Sequence, residues 1–306
     1  MAAASSAIAA DALLEGCIVS AHRRHFIVAV DAAGTLRCVL RGRSLALACG
    51  DRVRVSRAED GGVVEEVLPR TTLFHRSDAF REKLIAANVD QVVAVVAAGL
   101  SLDEELVNRW AIAAAALASR FVIAANKADL PDFPALMARL QPFSALGHPV
   151  VALSARRDVA PLRPWFAGRH SVLIGQSGMG KSTLLNALAP AACAPTREIS
   201  AALATGRHTT THSTLYPLPG EGGGWIVDSP GLKAFGLAHL EPEAIADAFA
   251  EFRPHLGNCR FRDCRHDAEP GCALQQAVAN GAAARHRLTL LRALVAESTA
   301  PRRGHR

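Results

Sequence analysis

NKAD, at residues 126–129, precedes GQSGMGKST, at residues 175–183, and the order of these two stretches decides how the chain is read. The second has the form Gly-x4-Gly-Lys-Ser, flanked by the apolar SVLI before it and TLLNAL after it, so it reads as strand, loop and helix. Gly175, Gly178 and Gly180 let the backbone fold so that successive N–H groups, including those of Gln176, Ser177 and Met179, converge on phosphate oxygens. Lys181 is placed to neutralise the outer phosphates and the Ser182 hydroxyl to ligate Mg²⁺, while the helix entered through Thr183 adds its positive end. This loop alone specifies a nucleoside triphosphate and no particular base.

The base is specified by Asn126, Lys127 and Asp129. In an Asn-Lys-x-Asp loop the acceptor-only carboxylate of the Asp takes the N1–H and exocyclic amine of guanine, a donor pair that adenine lacks. Asn126 ties that loop to the phosphate loop, and the stem of Lys127 covers one face of the base. Ser154 and Ala155 close another apolar strand, PVVALSA, and complete the base pocket. Downstream, Asp228-Ser229-Pro230-Gly231 follows the strand GWIV. In Asp-x-x-Gly the Asp reaches Mg²⁺ through water and the Gly N–H bonds the third phosphate. GRHTTTH, residues 206–212, lies between, and Thr210 is expected to close on Mg²⁺, with Thr209 and Thr211 as alternatives.

All five elements of a guanine-nucleotide site are therefore present, in the order base, base, phosphate, switch, switch. The common order begins with the phosphate loop. A closed α/β domain whose ends lie together can be joined there and opened elsewhere, so the expectation is a circularly permuted domain. The region C-terminal to the last switch is then tethered directly to the nucleotide sensor.

That C-terminal region contains Cys259-x4-Cys264-x-His266-x5-Cys272. Three thiolates and an imidazole make four ligands with no open position, the composition of a structural Zn²⁺ site. His255 is a rival imidazole, expected on the surface at the end of a helix that starts near Glu241.

The 306 residues suffice for two or three domains, and half are apolar, which excludes a disordered chain. The N-terminal MAAASSAIAADALL has no Lys or Arg ahead of its apolar stretch, which argues against a secretory signal. The apolar run at residues 111–118 is shorter than the ~18 residues a membrane helix needs, so a soluble protein is expected. Seven unevenly spaced cysteines fit a reducing cytoplasm better than a disulfide framework. Residues 253–306 hold ten Arg, no Lys and four acids, which accounts for the whole net charge of +6. A second arginine cluster, Arg37, Arg41, Arg43, Arg52, Arg54 and Arg57, lies near the start; together the two ends suggest a polyanionic partner.

Five short strand patterns, GCIVSA, HFIVAV, TLRCVL, DRVRVS and GVVEEVLP, point to a small barrel, of the oligonucleotide-binding (OB) or an SH3-like type. Arg52 and Arg54 alternate with Val53 and Val55, so that the arginines face outward. The fold class expected is multidomain: a tail at 1–11, a five-stranded OB-type β-barrel at 12–70, an α/β circularly permuted P-loop GTPase domain at 71–236, and a mainly helical zinc-binding domain at 237–306.

With these motifs assembled, and with RGRSL, GDRV and ANVDQV besides, the chain resembles the ribosome small-subunit-dependent GTPases over nearly its whole length. The resemblance implies a barrel that contacts ribosomal RNA, a central domain that turns GTP into GDP, and a zinc domain that docks on the immature small subunit. It further implies a late checkpoint that ends with hydrolysis and release. Neither a membrane nor a second copy of the chain is expected as a partner. One position departs from Ras-type enzymes: Leu232 follows Gly231 where they place a water-orienting Gln. Turnover should then be slow without help, and His208 is the nearest candidate for the missing group, with the ribosome as the other source. Two competing readings are a permuted GTPase of large-subunit maturation and an RNA-binding scaffold that keeps GTP as a structural ligand.

Overall fold

The computed structural model describes residues 13–22, 25–30, 34–41, 46–77, 82–190, 213–219, 223–229 and 235–300. The candidate residues His208, Thr210, Gly231 and Leu232 lie outside the described residues, as does the expected tail at 1–11.

Strands β1 (Leu14–Ala21), β2 (Phe26–Val30), β3 (Gly34–Leu40), β4 (Arg52–Ala58) and β5 (Gly61–Val67) run in the order β1-β2-β3-β5-β4, and β4 pairs back on β1 to close a barrel. Only β3 and β5 are parallel within it. Period-two alternation sends Val53 and Val55 inward, where they meet Ile18, Val28, Cys38 and Val64, all fully buried. Arg52 and Arg54 do point outward, but they are not bare. Glu15, which stands opposite Arg54 in register, receives Arg52 at 2.9 Å and Arg54 at 3.4 Å, and Arg54 also reaches Glu66 at 3.0 Å. The outward placement expected of these arginines therefore holds, and the face they share with Glu15 and Glu66 is a ladder of mixed sign.

A hairpin absent from the sequence reading, β6 (Leu73–Ser77) and β7 (Glu82–Ala87), follows the barrel. It is tied back by Arg70, whose guanidinium grips the fully buried Asp51 at 2.6 Å and 2.8 Å. Asn88 adds a second tie, accepting from the Thr71 N–H and donating to the Gly50 carbonyl, each at 2.8 Å.

The central sheet comprises β8 (Gln91–Ala97), β9 (Arg120–Asn126), β10 (Val150–Ala152), β11 (His170–Ile174), β12 (Thr214–Pro217) and β13 (Trp225–Asp228). Their order is β10-β9-β8-β11-β13-β12, parallel except for β12. Every residue of the middle strand β8 is buried, as a strand covered on both faces requires. Val92, Ala94 and Val96 join one core with Leu106 and Trp110 of α1 (Glu104–Ala116). Val93, Val95 and Ala97 join the other with Leu184, Leu185 and Leu188 of α4 (Lys181–Leu188). Between these helices in the chain come α2 (Phe133–Ala145) and the single turn α3 (Arg163–Phe166).

The barrel and the central sheet are one continuous surface of eleven strands, because β12 pairs antiparallel with β1 at Ser20 and Thr214. The Cys49 thiol donates to the Ser213 carbonyl at 3.0 Å beside that junction.

The C-terminal region holds α5 (Pro242–Asp247), α6 (Ala273–Ala279) and α7 (Arg285–Thr299). Leu288, Leu291 and Leu294 of α7 enter the same core as Trp110 of α1. The helix near Glu241 ends at Asp247, so His255 belongs instead to a separate 3-10 turn, Arg253–His255.

Candidate nucleotide site and metal centre

The phosphate loop runs from the end of β11 to the start of α4, and its glycines are demanded by its geometry. Gly178 and Gly180 have φ of +83° and +93°, in the left-handed region that favours glycine. A Cβ at Gly175 would meet the Val95 carbonyl at 2.6 Å, and one at Gly180 would collide with the Asn126 amide. The loop therefore sits in close backbone contact with both β8 and the NKAD turn.

Asn126, at the end of β9 and almost fully buried, joins three loops. Its amide donates to the Met179 carbonyl at 2.9 Å, and its Oδ1 accepts from Lys127 N at 2.8 Å and Ala155 N at 2.9 Å. Phosphate loop, NKAD loop and Ser154-Ala155 loop are thereby fixed against one another by one side chain. Lys127 follows with φ of +63°, a strained conformation for a lysine.

A cavity of about 310 Å³ opens where these loops meet, with Lys127, Asp129, Ser154 and Gly180 in its wall. The Ser154 hydroxyl, the residue's own backbone N–H and the Arg157 and Arg156 guanidiniums hold the Asp129 carboxyl below the usual carboxylate range. It is thus an ionised acceptor at neutral pH. Leu130 and Arg156 also line this cavity and were not anticipated. Arg156 directly follows Ser154-Ala155, which is the signal that could have found it.

At the phosphate end, Lys181 is nearly buried and its ammonium donates to the Gly175 carbonyl at 2.7 Å and the Gln176 carbonyl at 3.1 Å. Burial lowers its pKa, opposed by the charge of Asp228. Asp228, at the end of β13 beside β11, has its carboxyl pushed up to about 6 by burial, against the pull of Lys181. Its Oδ1 is buried with no hydrogen-bond partner. An orphaned carboxylate oxygen facing this loop fits the water shell of a divalent cation, and the exposed Ser182 offers a hydroxyl at the same end.

In the C-terminal region, one donor atom each from Cys259, Cys264, His266 and Cys272 all lie within 4.8 Å of one another. His266 turns Nδ1 inward, 3.5 Å from the Cys259 sulfur and 3.4 Å from that of Cys272. Ligands about 2.3 Å from a central Zn²⁺ would be spaced in this way, and the three-sulfur, one-nitrogen donor set suits that ion. His255 is not among the four.

Comparison with known proteins agrees with this arrangement. A family model described as RsgA GTPase matches residues 67–238. A relative from Nitrosospira multiformis, named small ribosomal subunit biogenesis GTPase RsgA, is 48% identical over 286 residues, covering 92% of this chain and 90% of its own. The crystal structure of YjeQ from Thermotoga maritima superposes with a TM-score of 0.68 at 30% identity, covering 96% of this chain and 100% of that one. YloQ, described as a circularly permuted GTPase, shares the fold with a TM-score of 0.66 at 24% identity, over 96% of this chain and 98% of its own.

Proposed function

The chain belongs to the RsgA GTPase family, and from that premise we propose that it hydrolyses GTP to GDP and phosphate as a late maturation factor of the small ribosomal subunit, binding ribosomal RNA and leaving on hydrolysis. One conjunction carries the reading: Asn126 locks three nucleotide loops together on a permuted sheet, in a chain nearly half identical to a protein named for this task.

Guanine enters between the three loops, where the ionised Asp129 accepts its two N–H donors and the Lys127 stem covers the ring. The triphosphate lies along the backbone N–H groups of residues 175–183, and Lys181 exchanges its two carbonyl partners for phosphate oxygens. Mg²⁺, when bound, offsets the charge that develops on the phosphates. Ser182 and, through water, Asp228 would hold it, together with Thr210 of the first switch. Gly231 would donate its N–H to the third phosphate. Because Leu232 has no polar atom to orient water, His208 or the ribosome supplies that role.

The four ligands Cys259, Cys264, His266 and Cys272 hold one structural Zn²⁺. The domains divide at 12–70, 71–236 and 237–306, and the protein works as a cytoplasmic monomer. No helix among the described residues is long and apolar enough to cross a membrane.

Co-sedimentation with separated subunits in the presence of a non-hydrolysable GTP analogue tests this reading. Binding to small subunits and not to large ones is expected. Association with large subunits alone would assign the protein to the other half of the ribosome.

A further inference from the structure

Four large apolar side chains are more than a third exposed among the described residues, and Phe261 is the aromatic one, at 42%. It stands in the loop between the first two cysteine ligands, Cys259 and Cys264. The loop is not slack. Arg260 N donates to the Gly271 carbonyl at 3.1 Å, Cys264 N donates to the Phe261 carbonyl at 3.4 Å, and the Arg260 stem runs over Gly271, where an added Cβ would meet it at 3.0 Å. A rigid knuckle therefore presents the ring to solvent.

The charge around the ring is one-sided. Arg260, Arg262 and Arg265 are all exposed and form no ion pair among the described residues, and the Arg260 guanidinium lies 5.6 Å from the ring centroid. The nearby acids are already engaged. Glu269 accepts from the Arg265 and Asp267 N–H groups at 2.9 Å and 2.8 Å, and Asp267 pairs with Arg292 at 2.6 Å. Asp263 is the one acid left in the knuckle.

We infer that this knuckle docks on unpaired RNA, with Phe261 as a stacking platform for one base and Arg260 and Arg262 on the flanking phosphates. An acidic peptide would satisfy the arginines and leave the ring in water, whereas an unpaired nucleotide offers a π face and a phosphate together. That the nucleic acid is RNA rests on the small-subunit reading above.

The test uses the full-length zinc-loaded protein and a short single-stranded oligoadenylate carrying one 2-aminopurine. Stacking on Phe261 quenches the probe. Phe261→Ala, with its zinc content intact, should bind about tenfold more weakly and lose the quenching without a change in salt slope. Phe261→Trp should restore both, and Arg262→Ala should lower the salt slope by about one. Phe261→Leu keeps the apolar bulk without the π face and guards against a merely structural effect. Wild-type binding and quenching in Phe261→Leu or Phe261→Ala would overturn the proposal. So would loss of small-subunit co-sedimentation by Phe261→Ala with oligoadenylate binding unchanged, which would assign the surface to a protein. Failure of the unmodified chain to sediment with small subunits is a separate result that removes the ribosomal reading and not the stacking.

Discussion

The carboxylate of Glu297, near the end of α7, lies 2.7 Å from the guanidinium of Arg109 on α1. Its other oxygen accepts the Leu237 N–H at 2.9 Å, and Arg109 donates to the Phe235 carbonyl at 3.3 Å. The chain leaving the Asp-x-x-Gly element is thus clamped between the central domain and the last helix. Glu297→Ala leaves the Leu237 N–H without its acceptor and takes from Arg109 its shortest ion pair, leaving it Glu105 and the Phe235 carbonyl, and should cost about 2 kcal/mol of unfolding free energy. A double-mutant cycle with Arg109→Ala, read by urea unfolding, should return a coupling of about 1 kcal/mol. Strict additivity would show that the two residues act independently.

Asn126 makes three hydrogen bonds that no substitute reproduces. Asn126→Ala removes bonds that the nucleotide-free protein already makes, so it should lower the unfolding free energy at about 1 kcal/mol for each bond and weaken GTP binding by up to roughly two orders of magnitude as the three loops lose their common anchor. Asp129→Asn is a different lesion: it should trade guanine for xanthine nucleotides, because the new amide donates to the xanthine C2 carbonyl. Equilibrium titration with both nucleotides distinguishes the two outcomes. Equal GTP and ATP binding by the unmodified chain would remove Asp129 from base selection.

Asp228 gives the nucleotide-free protein a signature in pH. Its carboxyl titrates near 6 in the folded state because it is buried, and near 4 once exposed by unfolding. Between those values the native state keeps a proton that the unfolded state has released. Stability from this group is therefore present at low pH and lost as pH rises to 6, by ~3 kcal/mol. Urea unfolding from pH 4 to 7 without Mg²⁺ should show wild type losing ground to Asp228→Asn across that window. Parallel profiles would contradict the assignment. Affinity for Mg²⁺ and GTP together should rise over the same interval, since the cation selects the ionised carboxyl.

How much of this was legible beforehand depended on the range over which each feature is encoded. The phosphate loop, NKAD and the cysteine spacing are local patterns, and the five barrel strands follow from alternation such as Val53 and Val55 against Arg52 and Arg54. The partners of those arginines were not legible, because Glu15 reaches them only through the cross-strand register of β1 and β4. The same is true of Arg109 with Glu297 and of Ser20 with Thr214, where residues far apart in the chain meet through tertiary packing. The β6–β7 hairpin was missed for another reason: LFHRS and EKLIAA are short, LFHRS holds His75 and Arg76 at partly buried positions, and Ile85, Ala86 and Ala87 are buried in succession, so neither strand alternates cleanly.

Removal of the metal should act on one end of the molecule. Atomic emission should find one zinc per chain, and Cys272→Ser should release it and cost several kcal/mol of metal-coupled folding energy. Hydrogen exchange should then quicken mainly after residue 240, since α6 begins directly behind that ligand. Full zinc occupancy in a chain carrying Cys259→Ser, Cys264→Ser and Cys272→Ser together would contradict the assignment.

The most direct test of the central claim is multiple-turnover phosphate release from GTP by the purified chain, measured alone, with isolated small subunits and with isolated large subunits. With Leu232 in place of a polar water-orienting residue, hydrolysis by the free protein should be slow. Small subunits should raise it strongly, large subunits should not, and His208→Ala should lose most of the stimulation while keeping its affinity for GTP. A rate indifferent to small subunits, or raised equally by large ones, would contradict the account.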